Sequence, residues 1–205
     1  TEDFGSAIYA RSAYTHADGN YNFRSLLKDW ADVQIGGSYR KYSPDSRGTI
    51  FNDEFEPIRV EEYGFYTQFQ KKFFEERLKL TTSLRYDKSQ NFDGNFSPRV
   101  AVNYALGKEK DHIFRASFQT GFRNPTIQEQ YLLLGSGFKT LVGSTADNLS
   151  RLDNGDDILN NAALTRSVYD PTFTGPSYLK SDYKEITPEL VQTLEAGYRS
   201  IIRLN

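Results

Sequence analysis

From residue 77 to residue 87 apolar and polar side chains alternate without a break. Leu78, Leu80, Thr82, Leu84 and Tyr86 fall on one side; Arg77, Lys79, Thr81, Ser83, Arg85 and Asp87 fall on the other. A period of two over this length predicts a β-strand with one apolar face and one hydrogen-bonding face. The same pattern recurs. Phe114, Ala116 and Phe118 oppose Arg115, Ser117 and Gln119, and Val100, Val102, Tyr104 and Leu106 oppose Arg99, Ala101, Asn103 and Ala105. Tyr63, Phe65 and Phe69 oppose Gly64, Tyr66, Gln68 and Gln70. Weaker versions complete a set of strands predicted at 4–14, 32–42, 62–72, 77–87, 98–106, 112–121 and 189–202.

The connections alternate in length. Segments 73–76 and 107–111 are short, whereas 43–59, 88–96 and above all 124–187 are long. In an up-and-down meander the short turns share one side and the long loops share the other, which is the layout of a transmembrane β-barrel wall. Strands of about ten residues match the roughly 9–11 needed to cross a bilayer at a tilt. The segment 15–30 belongs with the short turns and is longer than expected; it holds the turn signal Asp18-Gly19-Asn20 and then Phe23 to Trp30, read as a short helix or an irregular turn. Tyr21 and Trp30 suit a membrane–water boundary, or an ordinary loop anchor. Gly36-Gly37 predicts a bulge or bend in the second strand. Seven strands cannot close an all-antiparallel barrel, so the chain reads as a section of a wall.

Composition narrows the classes. The 205 residues carry 38% hydrophobic and 15% aromatic side chains, with a mean hydropathy of -0.64. No run is long and apolar enough for a helical span, yet a barrel wall with a polar lumen needs none. A net charge of -2 argues against nucleic-acid binding. The absence of Cys removes thiolate metal sites, Cys nucleophiles and disulfides. The opening Thr-Glu-Asp-Phe-Gly lacks a basic region and an apolar core, so it is not a signal peptide, and the chain reads as an internal piece.

Phe114 to Thr126, ending in Gly121-Phe122-Arg123-Asn124-Pro125-Thr126, is followed by Gln128-Glu129-Gln130-Tyr131. Together these resemble the barrel motif of TonB-dependent outer-membrane receptors. Ile35 to Arg40, Gly48 to Phe51, Leu84 to Asp87, Phe96 to Arg99 and Glu195 to Tyr198 support it in the same order. The set is most similar to the Bacteroidetes branch, whose receptors often carry a carboxypeptidase-regulatory-like domain upstream. The resemblance implies an all-β fold: an antiparallel up-and-down section of a large 22-stranded transmembrane barrel with long extracellular loops, closed in the parent by an N-terminal plug that this chain lacks. It further implies import of a bulky nutrient captured at the extracellular loops, driven through the plug by TonB, in a bacterial outer membrane. Outer-membrane lipid is an implied partner, and a surface lipoprotein a possible one.

Candidate chemistry follows from the polar faces. Arg40, Arg85, Arg99, Arg115, Gln119 and Arg123 either line the passage and meet the plug or simply satisfy a wet interior, with carboxylates such as Asp87 or Glu195 as partners. Gly121 and Pro125 in the Gly-Phe-Arg-Asn-Pro motif have a structural use, permitting an unusual backbone angle and ending ladder pairing. In the long loop Tyr131, Phe138, Tyr169, Phe173, Tyr178 and Tyr183 offer stacking surfaces for a sugar, peptide or siderophore, or pack the loop on itself. Asp153 to Asp157 does not match the twelve-residue calcium loop, and His16 and His112 have no ligand spacing. No metal, cofactor or catalytic constellation is expected. The rival readings are an outer-membrane barrel for adhesion or assembly and a soluble β-sheet module that binds carbohydrate.

Overall fold

The computed structural model describes residues 8–28, 30–135, 140–151, 162–164 and 185–201. Seven long strands form one antiparallel sheet: β1 (Arg11–Asn22), β2 (Asp32–Asp45), β3 (Val60–Phe73), β4 (Leu78–Ser89), β5 (Phe92–Leu106), β6 (His112–Arg123) and β10 (Glu189–Ser200). They lie side by side in the order β1-β2-β3-β4-β5-β6-β10. Between the last two the chain builds α1 (Ile127–Tyr131), α2 (Ala146–Arg151) and a small sheet of β7 (Leu133–Gly135), β8 (Thr140–Val142) and β9 (Ala162–Leu164). No described helix is long and apolar enough to cross a membrane.

The register divides the sheet into two chemically different faces. Thr82, Val100, Phe118 and Leu194 form one cross-strand row. Leu80, Val102, Ala116 and Ala196 form the next on the same face. Opposite them run Thr81, Ala101, Ser117 and Glu195, then Ser83, Arg99, Gln119 and Thr193. The apolar face is bare: Leu194 is 81% exposed and Phe65 60%. Aromatic rings border it at both ends. Tyr104, Phe114 and Tyr198 lie near the short turns, and Tyr86 and Phe96, 4.8 Å apart, lie near the long loops. Leu78, level with the lower row, and Tyr86 are eight residues apart on β4, about 26 Å at ~3.3 Å per residue. A ringed apolar band on one face and a polar opposite face are the marks of a membrane barrel wall.

Several local expectations need correction. The first strand is Arg11–Asn22 rather than 4–14, so Asp18-Gly19-Asn20 is not a turn. It pairs in register with Ser38, Gly37 and Gly36. The turn is Phe23 to Trp30 instead, where Phe23 N–H donates to Val33 O at 2.8 Å, which removes the overlong connection. Gly36-Gly37 makes no bulge; its pairing is continuous on both sides. A Cβ at Gly36 would meet the Tyr66 ring at 2.5 Å, so the glycine makes room for that ring. The register shift falls at Asp87/Ser89 in the β4–β5 pair. The loop expected at 88–96 shrinks to the turn between Ser89 and Phe92, and β4 and β5 continue past the apolar band as a hairpin.

The β3–β4 turn carries three consecutive residues in the left-handed region, Phe74 (φ 52°), Glu75 (φ 53°) and Glu76 (φ 68°), none of them glycine. This conformation costs a side-chain-bearing residue about 1 kcal/mol or more. Nearby contacts offset it: Lys72 Nζ donates to Glu76 at 2.8 Å, which lowers that carboxyl below its ordinary range, and Lys110 Nζ donates to Glu75 O at 2.8 Å. Glu75→Gly keeps that backbone acceptor and removes the steric cost. It is expected to stabilise the turn by about 1 kcal/mol, read as a higher temperature for loss of the folded band in electrophoresis.

Candidate functional site

The polar face ends, on the long-loop side, in a cleft of about 680 Å³ beneath the segment that follows β6. Its floor comes from inward positions of β2, β3, β4 and β5: Ser38, Arg40, Glu62, Arg85, Asp87 and Ser97. Its roof is Gly121 to Ile127 and Gln130. Beside the cleft β5 and β6 part. Their pairing begins only at Arg99/Gln119, just where Pro98, with no N–H to give, sits in β5. Thr120 Oγ1 and Asn124 Oδ1, both on the cleft lining, are buried without a hydrogen-bond partner among the described residues.

Three arginines at the cleft are paired with carboxylates. Arg85 binds Asp87, its neighbour on the same face, through both Nε and Nη2, the latter at 2.6 Å to Oδ1. Arg40 lies 3.5 Å from Glu62, and Asn124 Nδ2 donates to Glu62 at 3.1 Å. Arg123 Nε donates to Glu189 at 3.0 Å, tying the end of β6 to β10, and its other arm is 3.6 Å from Glu129. Lys88, also on the lining, donates to Phe92 O at 2.7 Å rather than to a carboxylate, so one cation stands beside these ion pairs. Among the described residues no group of three or more His, Asp or Glu is placed to hold a metal.

A second layer closes over the cleft. Thr126 begins α1 with a reciprocal capping box, its hydroxyl accepting from Glu129 N–H while Glu129 accepts from Thr126 N–H at 2.7 Å. The helix delivers Tyr131 into a core with Phe51, Ile58 and Val60, packed against Tyr42, Ile50 and Ile127. Tyr131 is fully buried. Its hydroxyl donates to Asp147 at 2.7 Å and accepts from Asn91 Nδ2 at 2.8 Å; burial, then the Asp147 bond, push its phenol well above the ordinary range. Asn91, in the β4–β5 turn, also donates to Gln130 Oε1 at 2.7 Å. Leu133 N–H donates to Ile50 O at 2.7 Å and Gly143 N–H to Leu132 O at 2.7 Å. Residues 46–60, 91, 124–135 and 140–148 therefore form one hydrogen-bonded cap.

Gly143 is obligatory in this cap, since a Cβ there would overlap the backbone of Gln130 and Tyr131. Backbone cannot move aside as a flexible side chain can. Gly143→Ala is expected to cost the cap about 1–3 kcal/mol, seen as faster protease nicking within 124–151.

The candidates thus separate. Arg40, Arg85, Gly121, Phe122, Arg123, Asn124 and Pro125 meet at the cleft. Arg99, Arg115 and Gln119 share its face but lie further along the strands and do not line it. Tyr131 packs the loop on itself, the second of its two expected uses, and a fully buried ring has no face left to stack on a ligand. Phe138, Tyr169, Phe173, Tyr178 and Tyr183, and the run Asp153–Asp157, lie outside the described residues. Glu62, Asn91 and Gln130 are not among the predicted site residues, Gln130 entering only within the Gln128–Tyr131 motif. For the last of these a signal existed, because Thr126-Ile-Gln-Glu129 is a capping-box sequence that announces a helix.

The seven-stranded meander, bare outside and polar within, defines the class as a section of a receptor-type β-barrel wall. The chain belongs to the TonB dependent receptor-like, beta-barrel family, whose model matches residues 2–205. No curated protein matches it. Among solved structures it is similar to the siderophore receptor PirA from Pseudomonas aeruginosa, at 16% identity and a TM-score of 0.50. That likeness covers 65% of this chain and 25% of the receptor, so the chain spans about a quarter of the structure it matches. At this identity the likeness concerns the fold alone.

Proposed function

We propose that this chain is part of the wall of an outer-membrane receptor that captures a bulky nutrient at its long-loop end and imports it with energy delivered by TonB. The observation that carries the proposal is the division of one sheet into a bare apolar face and a polar face ending in a cleft lined by ion pairs. A soluble carbohydrate module would have to cover its apolar face, and among the described residues nothing covers this one. On this reading the long loops are extracellular. Arg40, Arg85 and Arg123 hold the cleft open and polar toward the lumen, while Arg99, Arg115 and Gln119 face the parent's plug. Attribution to the Bacteroidetes branch, and to a surface lipoprotein partner, rests on the sequence motifs and belongs to the same proposal.

The test begins with the native polypeptide. An antibody to 132–187 should detect, in membrane fractions of the source organism, a heat-modifiable outer-membrane band several times the 23.5 kDa of this chain. Deleting TonB should then abolish growth on the nutrient that the receptor supplies. A soluble band near 23.5 kDa would overturn the reading.

A further inference from the structure

On the apolar face, between the two aromatic borders, one charged side chain stands among the described residues: Lys71 of β3. Its cross-strand partner is Leu80, and Val102 and Ala116 continue the row. A lysine facing lipid is costly at the bilayer centre and cheap only near the interface. Its long stem lets the cation reach that boundary. Lys71 does so toward the short turns. Its Nζ lies 3.2 Å from the ring centroid of Trp30, in the β1–β2 turn, and 5.4 Å from that of Phe73. Trp30 stands edge-on to Phe69 at 6.4 Å and is itself 62% exposed.

The aromatic faces attract the cation but give its hydrogens no lone pair. The ammonium has three N–H donors, and among the described residues no carboxylate or other acceptor meets them. Lys72, its neighbour on the opposite face, is paired with Glu76 at 2.8 Å. Lys71 is thus a cation held by an exposed indole at the level where headgroups begin, with its hydrogen-bonding capacity unspent.

We propose that Lys71 and Trp30 form a headgroup site for the phosphate of a phospholipid in the leaflet on the short-turn side. The proposal rests on the membrane-barrel reading. The phosphodiester oxygens accept from the ammonium, the acyl chains run along Phe69, Leu80 and Val102, and the exposed edge of Trp30 sits among the headgroups.

Native mass spectrometry of the full-length receptor tests this. Phosphatidylglycerol or a diacylglycerol with the same acyl chains is added to wild type, Lys71→Gln and Lys71→Arg. Wild type should hold phosphatidylglycerol in preference to diacylglycerol. Lys71→Gln should lower its occupancy about fivefold, the factor set by roughly 1 kcal/mol per interfacial cation, and Lys71→Arg should retain it. Unchanged occupancy in Lys71→Gln, or equal binding of diacylglycerol by wild type, overturns the site while leaving the barrel reading intact. A receptor that takes up neither lipid likewise overturns the site alone; the barrel reading falls only if the full-length protein does not fractionate with the outer membrane.

Discussion

Val100→Arg should prevent this wall from inserting, whereas Ala101→Arg, one residue away, should be tolerated. Val100 lies in the row Thr82, Val100, Phe118, Leu194, midway between the two aromatic borders on the bare face. Ala101 points the other way, between Thr81 and Ser117. The polar face already accommodates Arg99 and Arg115 on the neighbouring rows. An arginine at the lipid midplane of a barrel costs about 2–4 kcal/mol, a large share of the 5–15 kcal/mol that typically holds a folded domain together. The full-length receptor carrying Val100→Arg should therefore yield much less heat-modifiable folded band, and Ala101→Arg should match wild type. A soluble two-layer protein would be harmed by Val100→Arg as well. It would not, however, place wild type in the membrane fraction, so the pair of variants is read together with fractionation. Equal effects at the two positions would sink the assignment of faces.

The legibility of this fold in its sequence follows the bilayer. On the membrane-barrel reading, where β3, β4 and β6 cross the apolar band one face meets lipid and the other meets water, so alternation is enforced and visible. Where β4 and β5 run past the band, Ser89 and Phe92 are buried and the two faces no longer differ in kind. Alternation lapses there, and 88–96 reads as a loop although most of it is strand. The error in β1 has another source. Asp18-Gly19-Asn20 carries strong turn chemistry, but the facing strand offers Gly37 and Gly36 at the same level. Twelve consecutive ladder partners outweigh the local preference of three residues. The cleft was partly legible, because arginines at period-two positions fall on one face wherever the strand holds. Which of them gather was not, since that depends on β5 and β6 parting at Pro98 and on the cap folding back over the hairpin.

The cap also defines what Tyr131 does, and substitutions there should separate packing from hydrogen bonding. Tyr131→Ala empties a fully buried site beside Phe51, Ile58 and Val60 and is expected to cost about 3–5 kcal/mol. Tyr131→Phe keeps the ring and deletes the hydroxyl. Asp147 retains Arg151 Nε at 3.1 Å, and Asn91 retains Gln130, so the loss should be near 1 kcal/mol. Amide exchange across 124–151 should rise steeply for Ala and slightly for Phe, while the ladders from β2 to β6 stay protected in both. The phenol supplies an independent check. Its folded pKa lies above the unfolded value, so its contribution to cap stability is complete below about pH 10 and declines as pH rises beyond that. Wild type should then show cap exchange climbing more steeply than solvent catalysis alone predicts above that pH, and Tyr131→Phe should not. Were Tyr131 a ligand-stacking residue, Tyr131→Ala would weaken nutrient capture and leave exchange in the unliganded receptor as it is in wild type.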